Sequence, residues 1–235
     1  MHAADASSSN TTTGARIALV AGASGLVGRA LVARLCADPG VAAVHALVRR
    51  PLELRHPKLQ LHVVDFAALP ALPAAGEAYL ALGTTIAVAG SREAFRAVDF
   101  DASLAVARAA LAAGVRRIGL VSAMGADPHS RVFYSRTKGE LEQALSALPL
   151  DALVVARPAL LLGDRGALGQ PHRHGEHLAA RLDRWLRPLL PARLRAIAAD
   201  DVAAALAWEV SRASGPTILE SARMQGASAA PHRNA

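Results

Sequence analysis

Three glycines at regular spacing constrain this chain more than any other feature of its sequence. Gly22, Gly25 and Gly28 follow the short apolar run Arg16–Ala21 and open an apolar segment with helical spacing. In such a loop the first glycine permits a tight turn, the second lets the backbone approach a pyrophosphate, and the third lets the helix pack on the strand. The helix N-terminus adds free N–H groups and a partial positive charge. The strand–loop–helix context therefore predicts a dinucleotide-binding site.

Strand-like and helix-like segments alternate along the rest of the chain. This alternation predicts an α/β fold, a Rossmann-type doubly wound parallel sheet with a small C-terminal extension on the substrate side. The polar, small-residue ends predict disordered tails over residues 1–15 and 222–235, around a single NAD(P)-binding domain over residues 16–221. Strands are predicted at residues 16–21, 44–48, 59–64, 78–82, 117–122, 153–156 and 217–219, and helices at residues 26–37, 92–113, 134–148, 178–190 and 202–210.

The end of the second predicted strand favours one dinucleotide over the other. An NAD site has an acidic residue there to bind the ribose 2′-hydroxyl, whereas this chain has Arg49 and Arg50. Because the guanidinium fork binds phosphate oxygens in pairs, the two arginines predict NADP, with NAD less favoured; the alternative is that both are merely solvated. The residues predicted to contact the dinucleotide by position are Gly22, Ser24, Gly25, Leu26, Val27, Gly28, Arg49, Arg50, Asp65 (at the adenine), Leu82, Gly83, Thr84, Tyr134 and Lys138.

Ser122, Tyr134 and Lys138 form a candidate catalytic set. Tyr134 and Lys138 are four residues apart in a helical stretch and share one face, and Ser122 ends the fifth predicted strand. A phenol has a reference pKa near 10, so it needs a nearby cation to exchange a proton at neutral pH. In this interpretation Tyr134 transfers the proton, Lys138 favours the phenolate and Ser122 binds the substrate oxygen. The alternative is a surface Tyr–Lys pair with a turn serine.

Together these motifs resemble the short-chain dehydrogenase/reductase superfamily, and more narrowly the Tat-interacting-protein oxidoreductase family, an atypical branch. The resemblance implies an NADP-binding Rossmann fold with the nicotinamide near Tyr134 and Lys138, and with Arg157, Pro158 and Ala159 beside it. Members also resemble nucleotide-sugar epimerases, and several atypical members bind NADPH without a settled substrate. The resemblance extends over residues 16–220, and its matching stretches are Leu82–Thr85, Val98–Asp101, Val121–Asp127, Tyr134–Glu140 and Arg157–Arg165.

Three functions are consistent with these residues. The first is an NADP-dependent oxidoreductase acting on a small carbonyl or hydroxyl compound. The second is a regulatory or redox-sensor protein that binds NADPH and protein partners without turnover. The third is an epimerase or dehydratase of nucleotide sugars, which retains its cofactor and gives no net oxidation.

Composition and charge argue against other classes of protein. The net charge is +7, but the chain has only two lysines and no basic run interleaved with aromatics, so nucleic-acid binding is not favoured. His172, His174 and His177 have a spacing that can bind zinc, but the flanking arginines repel a cation and no metal site is predicted. The N-terminus has no apolar core, and the run Ala152–Leu162 is too short to span a bilayer. We therefore expect a cytoplasmic protein.

Overall fold

The computed structural model describes residues 15–162 and 191–229, and the elements below belong to these ranges. The helical segments are α1 (Leu26–Ala37), α2 (Ile86–Ala89), α3 (Arg92–Arg96), a π-helical turn (Ala97–Ala102), α4 (Ser103–Ala112), α5 (Phe133–Ser146), a 3₁₀ turn (Ala192–Leu194), α6 (Ala199–Val210) and α7 (Ser221–Met224). The strands are β1 (Arg16–Ala21), β2 (Val41–Val48), β3 (Leu59–Val63), β4 (Glu77–Leu80), β5 (Arg117–Val121), β6 (Ala152–Arg157), β7 (Leu161–Leu162), β8 (Ile197–Ala198) and β9 (Gly215–Glu220).

The main sheet is parallel throughout. Its strands run in the order β3-β2-β1-β4-β5-β6-β9, and β7 pairs with β8 in a separate small sheet near the C-terminus. The chain moves outward from β1 to β3 and then returns to β4 on the other side of β1. In sheets of this kind ligands bind at that reversal, outside the carboxyl ends of the strands. The order confirms the predicted doubly wound fold.

Helices bury both faces of the sheet, as the apolar strands require. On one face α1 and α6 pack through residues such as Leu31, Leu35 and Leu206, and on the other α4 and α5 pack through residues such as Val106 and Leu145. Burying one such side chain contributes about 1.5–3 kcal/mol. The two apolar clusters fix where the strand ends lie, and hence where the loops that follow them meet.

The long helix predicted over residues 92–113 is not uniform. Helical backbone continues from Arg92 to Ala112, but a π-helical turn over Ala97–Ala102 interrupts the α-helical hydrogen bonding. Asp99 is buried in this turn, and its carboxylate binds groups from two other segments. A π turn adds one residue to the helix and is frequent at functional sites.

The folded region also extends further towards the C-terminus than the predicted tail allows. Met224 is completely buried in α7, and Ser228 donates hydrogen bonds to Asp201 from both its backbone and its hydroxyl. The predicted boundary at residue 222 is therefore wrong. The small, polar residues of this segment have no apolar periodicity, so the sequence did not predict that Met224 is buried. The predicted helix over 178–190 and the three histidines at 172–177 lie outside the described residues.

Candidate functional site

Two of the three loop glycines are required by the packing of the backbone itself. Gly22 has φ +89°, and a Cβ added to it would lie 2.4 Å from the Ala81 carbonyl oxygen. A Cβ on Gly28 would lie 2.1 Å from the carbonyl oxygen of Gly22. Gly25 has only that same oxygen near it, at 3.4 Å. The loop is therefore held tightly against β4 and α1, and Gly25 is left to face outward.

Helix α1 begins directly at this loop. Gly25 is its N-cap, no side chain in the described ranges caps it, and its first turn carries no acidic residue. The first N–H groups of a helix have no intrahelical partners and favour an anion. A cradle of glycine backbone at an uncapped helix start is the arrangement that fits a dinucleotide pyrophosphate.

A cavity of about 850 Å³ lies over the carboxyl ends of the strands, beside this loop. It runs from the end of β2, past the β4 and β5 ends, to the segment after β6. Most of the residues predicted from the sequence line it together. These are Gly22, Ser24, Gly25, Leu26, Val27, Arg49, Leu82, Gly83, Thr84, Ser122, Tyr134, Lys138, Pro158 and Ala159.

Four predicted residues do not line the cavity: Gly28, Arg50, Asp65 and Arg157. Gly28 lies behind the loop, where it lets α1 approach. Asp65 instead accepts a hydrogen bond from its near neighbour Ala67, at 2.9 Å, in a local turn. Phe66 and Ala67 line the cavity in its place. The predicted adenine contact of Asp65 and the 2′-phosphate contact of Arg50 thus lack support from the geometry.

Arg157 is turned towards the protein interior. Its guanidinium donates to both carboxylate oxygens of Glu142, at 3.2 and 2.6 Å, and lies 3.6 Å from Glu220. The hydrogen bonds to Glu142 are the main cause that raises the pKa of Arg157 above its ordinary value. This bidentate pair occupies the planar fork and Arg157 does not line the cavity, so the geometry gives no support for the place beside the nicotinamide that the resemblance implies.

Ser122 is joined to the same carboxylate. Its hydroxyl lies at the end of β5, is buried, and donates its proton to Glu142 on α5. A hydroxyl has one proton to donate and two lone pairs to accept with. In this arrangement Ser122 presents acceptor sites, and not a donor, to the cavity.

Tyr134 and Lys138 lie on α5 and face the π turn. The Tyr134 ring packs against Phe95 of α3, with ring centroids 5.5 Å apart. The Lys138 ammonium is buried and lies 2.6 Å from a carboxylate oxygen of Asp99. The other Asp99 oxygen accepts a hydrogen bond from the Thr84 amide at 2.8 Å. Asp99 therefore joins the segment after β4 to the lysine of α5.

Two carboxylates, Asp99 and Glu142, are site residues that the sequence reasoning missed. For Glu142 a signal existed, because the spacing of four that relates Tyr134 to Lys138 continues to residue 142 and puts all three on one helix face. For Asp99 the signal was weaker: an acidic residue inside a helix that was otherwise predicted to be uniform.

The comparisons with known proteins agree with this geometry. The family model described as NAD(P)H-binding matches residues 22–184. The chain belongs to this NAD(P)H-binding family. Within the family it is similar to protein FMP52 of Candida albicans, with 32% identity over 192 residues that cover 78% of this chain and 82% of that protein. It is also similar to protein HTATIP2 of Rattus norvegicus, with 36% identity over 167 residues that cover 68% and 67% of the two chains. The latter match confirms the predicted Tat-interacting-protein branch.

A solved structure shares the fold of this NAD(P)H-binding chain. An oxidoreductase of the short-chain dehydrogenase/reductase family from Burkholderia thailandensis superposes with a TM-score of 0.67 at 20% identity. The superposition covers 89% of this chain and 92% of that one. The chain thus has the fold of this short-chain dehydrogenase/reductase structure.

The expected cytoplasmic location is wrong. The Candida albicans relative is named a mitochondrial protein, and so are three further relatives at 33–38% identity, which points to a mitochondrial and not a cytoplasmic location. Within residues 15–162 and 191–229, no helix has both the length and the apolar character needed to cross a membrane.

Proposed function

We propose that the protein is an NADP-dependent oxidoreductase acting on a small carbonyl or hydroxyl compound. One observation carries this proposal: Tyr134 and Lys138 line the same cavity as the glycine loop. A proton-transferring phenol and a dinucleotide cradle are the two parts that hydride transfer to a carbonyl needs. The bound dinucleotide supplies the hydride.

Residues of the chain bind the dinucleotide, transfer the proton and bind the substrate oxygen. The glycine loop and the start of α1 bind the pyrophosphate by backbone N–H groups. Tyr134 donates its phenolic proton to the substrate oxygen, because a developing alkoxide needs a proton as the hydride arrives. Lys138 provides a positive charge one helical turn away that stabilises the phenolate left behind. Ser122 accepts a hydrogen bond from the hydroxyl form of the substrate, since its own proton is bound to Glu142.

The catalytic part of the proposal is tested by Tyr134→Phe. In a screen of carbonyl compounds and quinones with NADPH, we expect the variant to lose about 100- to 10,000-fold in kcat. Calorimetry should show NADPH affinity close to that of the unmodified protein, because the ring and its packing on Phe95 remain. Undiminished turnover in the variant overturns the assignment of Tyr134.

The preference for NADP rests on Arg49, which lines the cavity whereas Arg50 does not. Replacing Arg49 with alanine is expected to weaken NADPH binding about 10- to 100-fold, since a charged hydrogen bond contributes about 1.5–3 kcal/mol. NADH lacks the 2′-phosphate, so its affinity should change little. Arg50→Ala is the matched control: it removes the same charge from the same strand end and should leave both affinities near their original values. Equal losses for the two nucleotides contradict the preference.

One observation favours the alternative of an NADPH-binding regulatory protein without turnover. Two of the three groups assigned to catalysis already bind carboxylates, Ser122 to Glu142 and Lys138 to Asp99. Calorimetry with NADPH is positive for both functions. The substrate screen separates the two functions, because NADPH binding without turnover of any compound in the screen supports the regulatory function.

A further inference from the structure

The π turn over Ala97–Ala102 contains a buried acidic side chain, Asp99. Asp99 is 1% exposed. Its neighbours in the turn are apolar or exposed: Ala102 is buried, whereas Asp101 is exposed and lines the cavity. A carboxylate is left this deep in a protein only when other groups bind its oxygens.

Both oxygens of Asp99 bind groups that belong to the proposed site. One lies 2.6 Å from the Lys138 ammonium, and the other accepts from the Thr84 amide at 2.8 Å. A Cβ on Gly83 would lie 3.5 Å from the Asp99 oxygen that pairs with Lys138 and 3.9 Å from the Lys138 nitrogen. The segment that follows β4 therefore passes directly over the Asp99–Lys138 pair. One carboxylate thus joins the cavity wall after β4 to the proposed catalytic lysine.

A buried ion pair of this kind is weak evidence for a role in stability. The cost of desolvating both charges offsets their attraction, and apolar residues of the same volume are commonly as stabilising. The pair instead fixes the position of the Lys138 ammonium. An ammonium group has three donors, so it can pair with Asp99 and still donate to oxygens in the cavity.

We propose that Asp99 is the positioning residue of this site: it holds the Lys138 ammonium in place beside Tyr134 and couples that position to the Gly83–Thr84 segment. The inference rests on the proposed function for its catalytic consequence. The contact itself can be tested without any substrate.

The chain offers a direct spectroscopic test, because it has two lysines, Lys58 and Lys138. Labelling with ¹⁵N-lysine gives two side-chain ammonium signals, and Lys58→Arg identifies which is which. In the full-length protein we expect the Lys138 ammonium protons to exchange slowly with water, because they are buried and ion-paired. In Asp99→Asn the exchange should accelerate about tenfold or more, because the ammonium loses its charged partner.

A matched control comes from a second ion pair, which joins α3, the segment just before the π turn, to α5. Arg96 of α3 binds Glu140 of α5 nearer the surface. Glu140→Gln removes a carboxylate two residues from Lys138 without touching it, and should leave the Lys138 exchange rate unchanged. Equal exchange rates in Asp99→Asn and the unmodified protein overturn the proposal.

Kinetics separate positioning from a merely structural role. Asparagine keeps an acceptor for the Thr84 amide but leaves the buried Lys138 ammonium without its carboxylate partner. In Asp99→Asn we therefore expect a lower melting temperature and a kcat reduced about tenfold or more, while NADPH affinity stays near its original value. Asp99→Ala removes the Thr84 contact as well and should also weaken NADPH binding. A loss of NADPH affinity as large as the loss of kcat in Asp99→Asn contradicts positioning. If the unmodified protein reduces no carbonyl compound, the proposed function fails, and the ammonium exchange rates still decide the role of Asp99.

Discussion

The three glycines of the loop differ in how closely the surrounding backbone approaches them, so substitution separates their roles. Gly28 meets the Gly22 carbonyl oxygen, Gly22 meets Ala81, and Gly25 has no contact closer than an ordinary van der Waals distance. The first two positions are limited by backbone packing. The third is limited only by what binds in the cavity.

Alanine at Gly28 and alanine at Gly25 should therefore give opposite results. Gly28→Ala must displace the loop, and we expect it to lower the free energy of unfolding by about 1–3 kcal/mol. Gly25→Ala should change that free energy by less than about 0.5 kcal/mol while it weakens NADPH binding, because its methyl group takes the place of the approaching pyrophosphate. Urea denaturation and calorimetry on both variants check this. A stable Gly28→Ala variant with normal NADPH affinity contradicts the tight loop.

The Glu142 carboxylate makes a second residue-scale prediction. It is bound by Ser122 and by Arg157, and its side chain is 10% exposed. Glu142→Ala leaves the Arg157 charge without its main partner, and we expect a loss of about 2–4 kcal/mol, allowing for the partial exposure of Arg157. Ser122→Ala should cost about 1 kcal/mol.

A double-mutant cycle separates this pair from the packing around it. Combining Glu142→Ala with Arg157→Met should cost clearly less than the sum of the single losses, because the double variant buries no unpaired charge. Additive losses, measured by urea denaturation, mean that the pair is not coupled.

These residues also show where sequence reasoning stops. Ser122, Tyr134 and Lys138 were identified because helix spacing and strand ends are visible along the chain. Asp99 and Glu142 are defined by partners from other elements: the Thr84 amide, the Ser122 hydroxyl and the Arg157 guanidinium. Spacing along one helix fixes which residues share a face, but not what that face meets.

At the scale of elements, periodicity predicted most strands and helices well and missed local departures. The limits of β1 and α1 were correct, whereas β2 begins at Val41, before the predicted Val44. The π turn was not predicted, because one inserted residue leaves the apolar pattern of a long helix nearly unchanged. The strands β7 and β8, two residues each, are too short to show any periodicity.

The contact between α6 and the sheet depends on one glycine. A Cβ on Gly119 in β5 would lie 2.3 Å from Leu206 and 2.8 Å from Val210. Gly119→Ala therefore pushes α6 outward, and we expect the free energy of unfolding to fall by about 1–3 kcal/mol. Adding Leu206→Ala should make space for the new methyl group, so the double variant should lose less than the two single losses combined. A strictly additive result, measured in urea, shows that α6 does not rest on this position.

At the scale of the whole molecule, alternation of strands and helices was enough to predict the sheet and the edge that carries the site. Parallel strands need crossover connections, and these place the loop after β1 beside the loop after β4. The order of side chains within the cavity followed from that edge. The depth of the cavity and its buried carboxylates could not be predicted, because they depend on how far the helices approach the sheet.

The stability of the whole molecule should also depend on pH through a histidine pair on the two outer strands at one end of the sheet. His45 of β2 is 7% exposed, and its Nδ1 lies 3.0 Å from Nε2 of His62 on β3. Burial, and then the neighbouring His62, lower the pKa of His45 below its ordinary value of 6.5. The unfolded chain therefore takes up this proton first as the pH falls, and the free energy of unfolding falls with it. The loss begins near pH 6.5 and levels off below the pKa of the folded state.

Urea denaturation at about pH 7.5 and about pH 5.5 measures this dependence. In the unmodified protein the midpoint should be lower at the acidic pH. His45→Gln removes the titrating group from the folded core, so the two midpoints should move closer together. His56→Gln is the control: His56 is exposed in the turn before β3, and its loss should leave the difference between the two midpoints as it was. An equally large difference in His45→Gln assigns the acid sensitivity to other groups, because the buried imidazole is then no longer present to take up the proton.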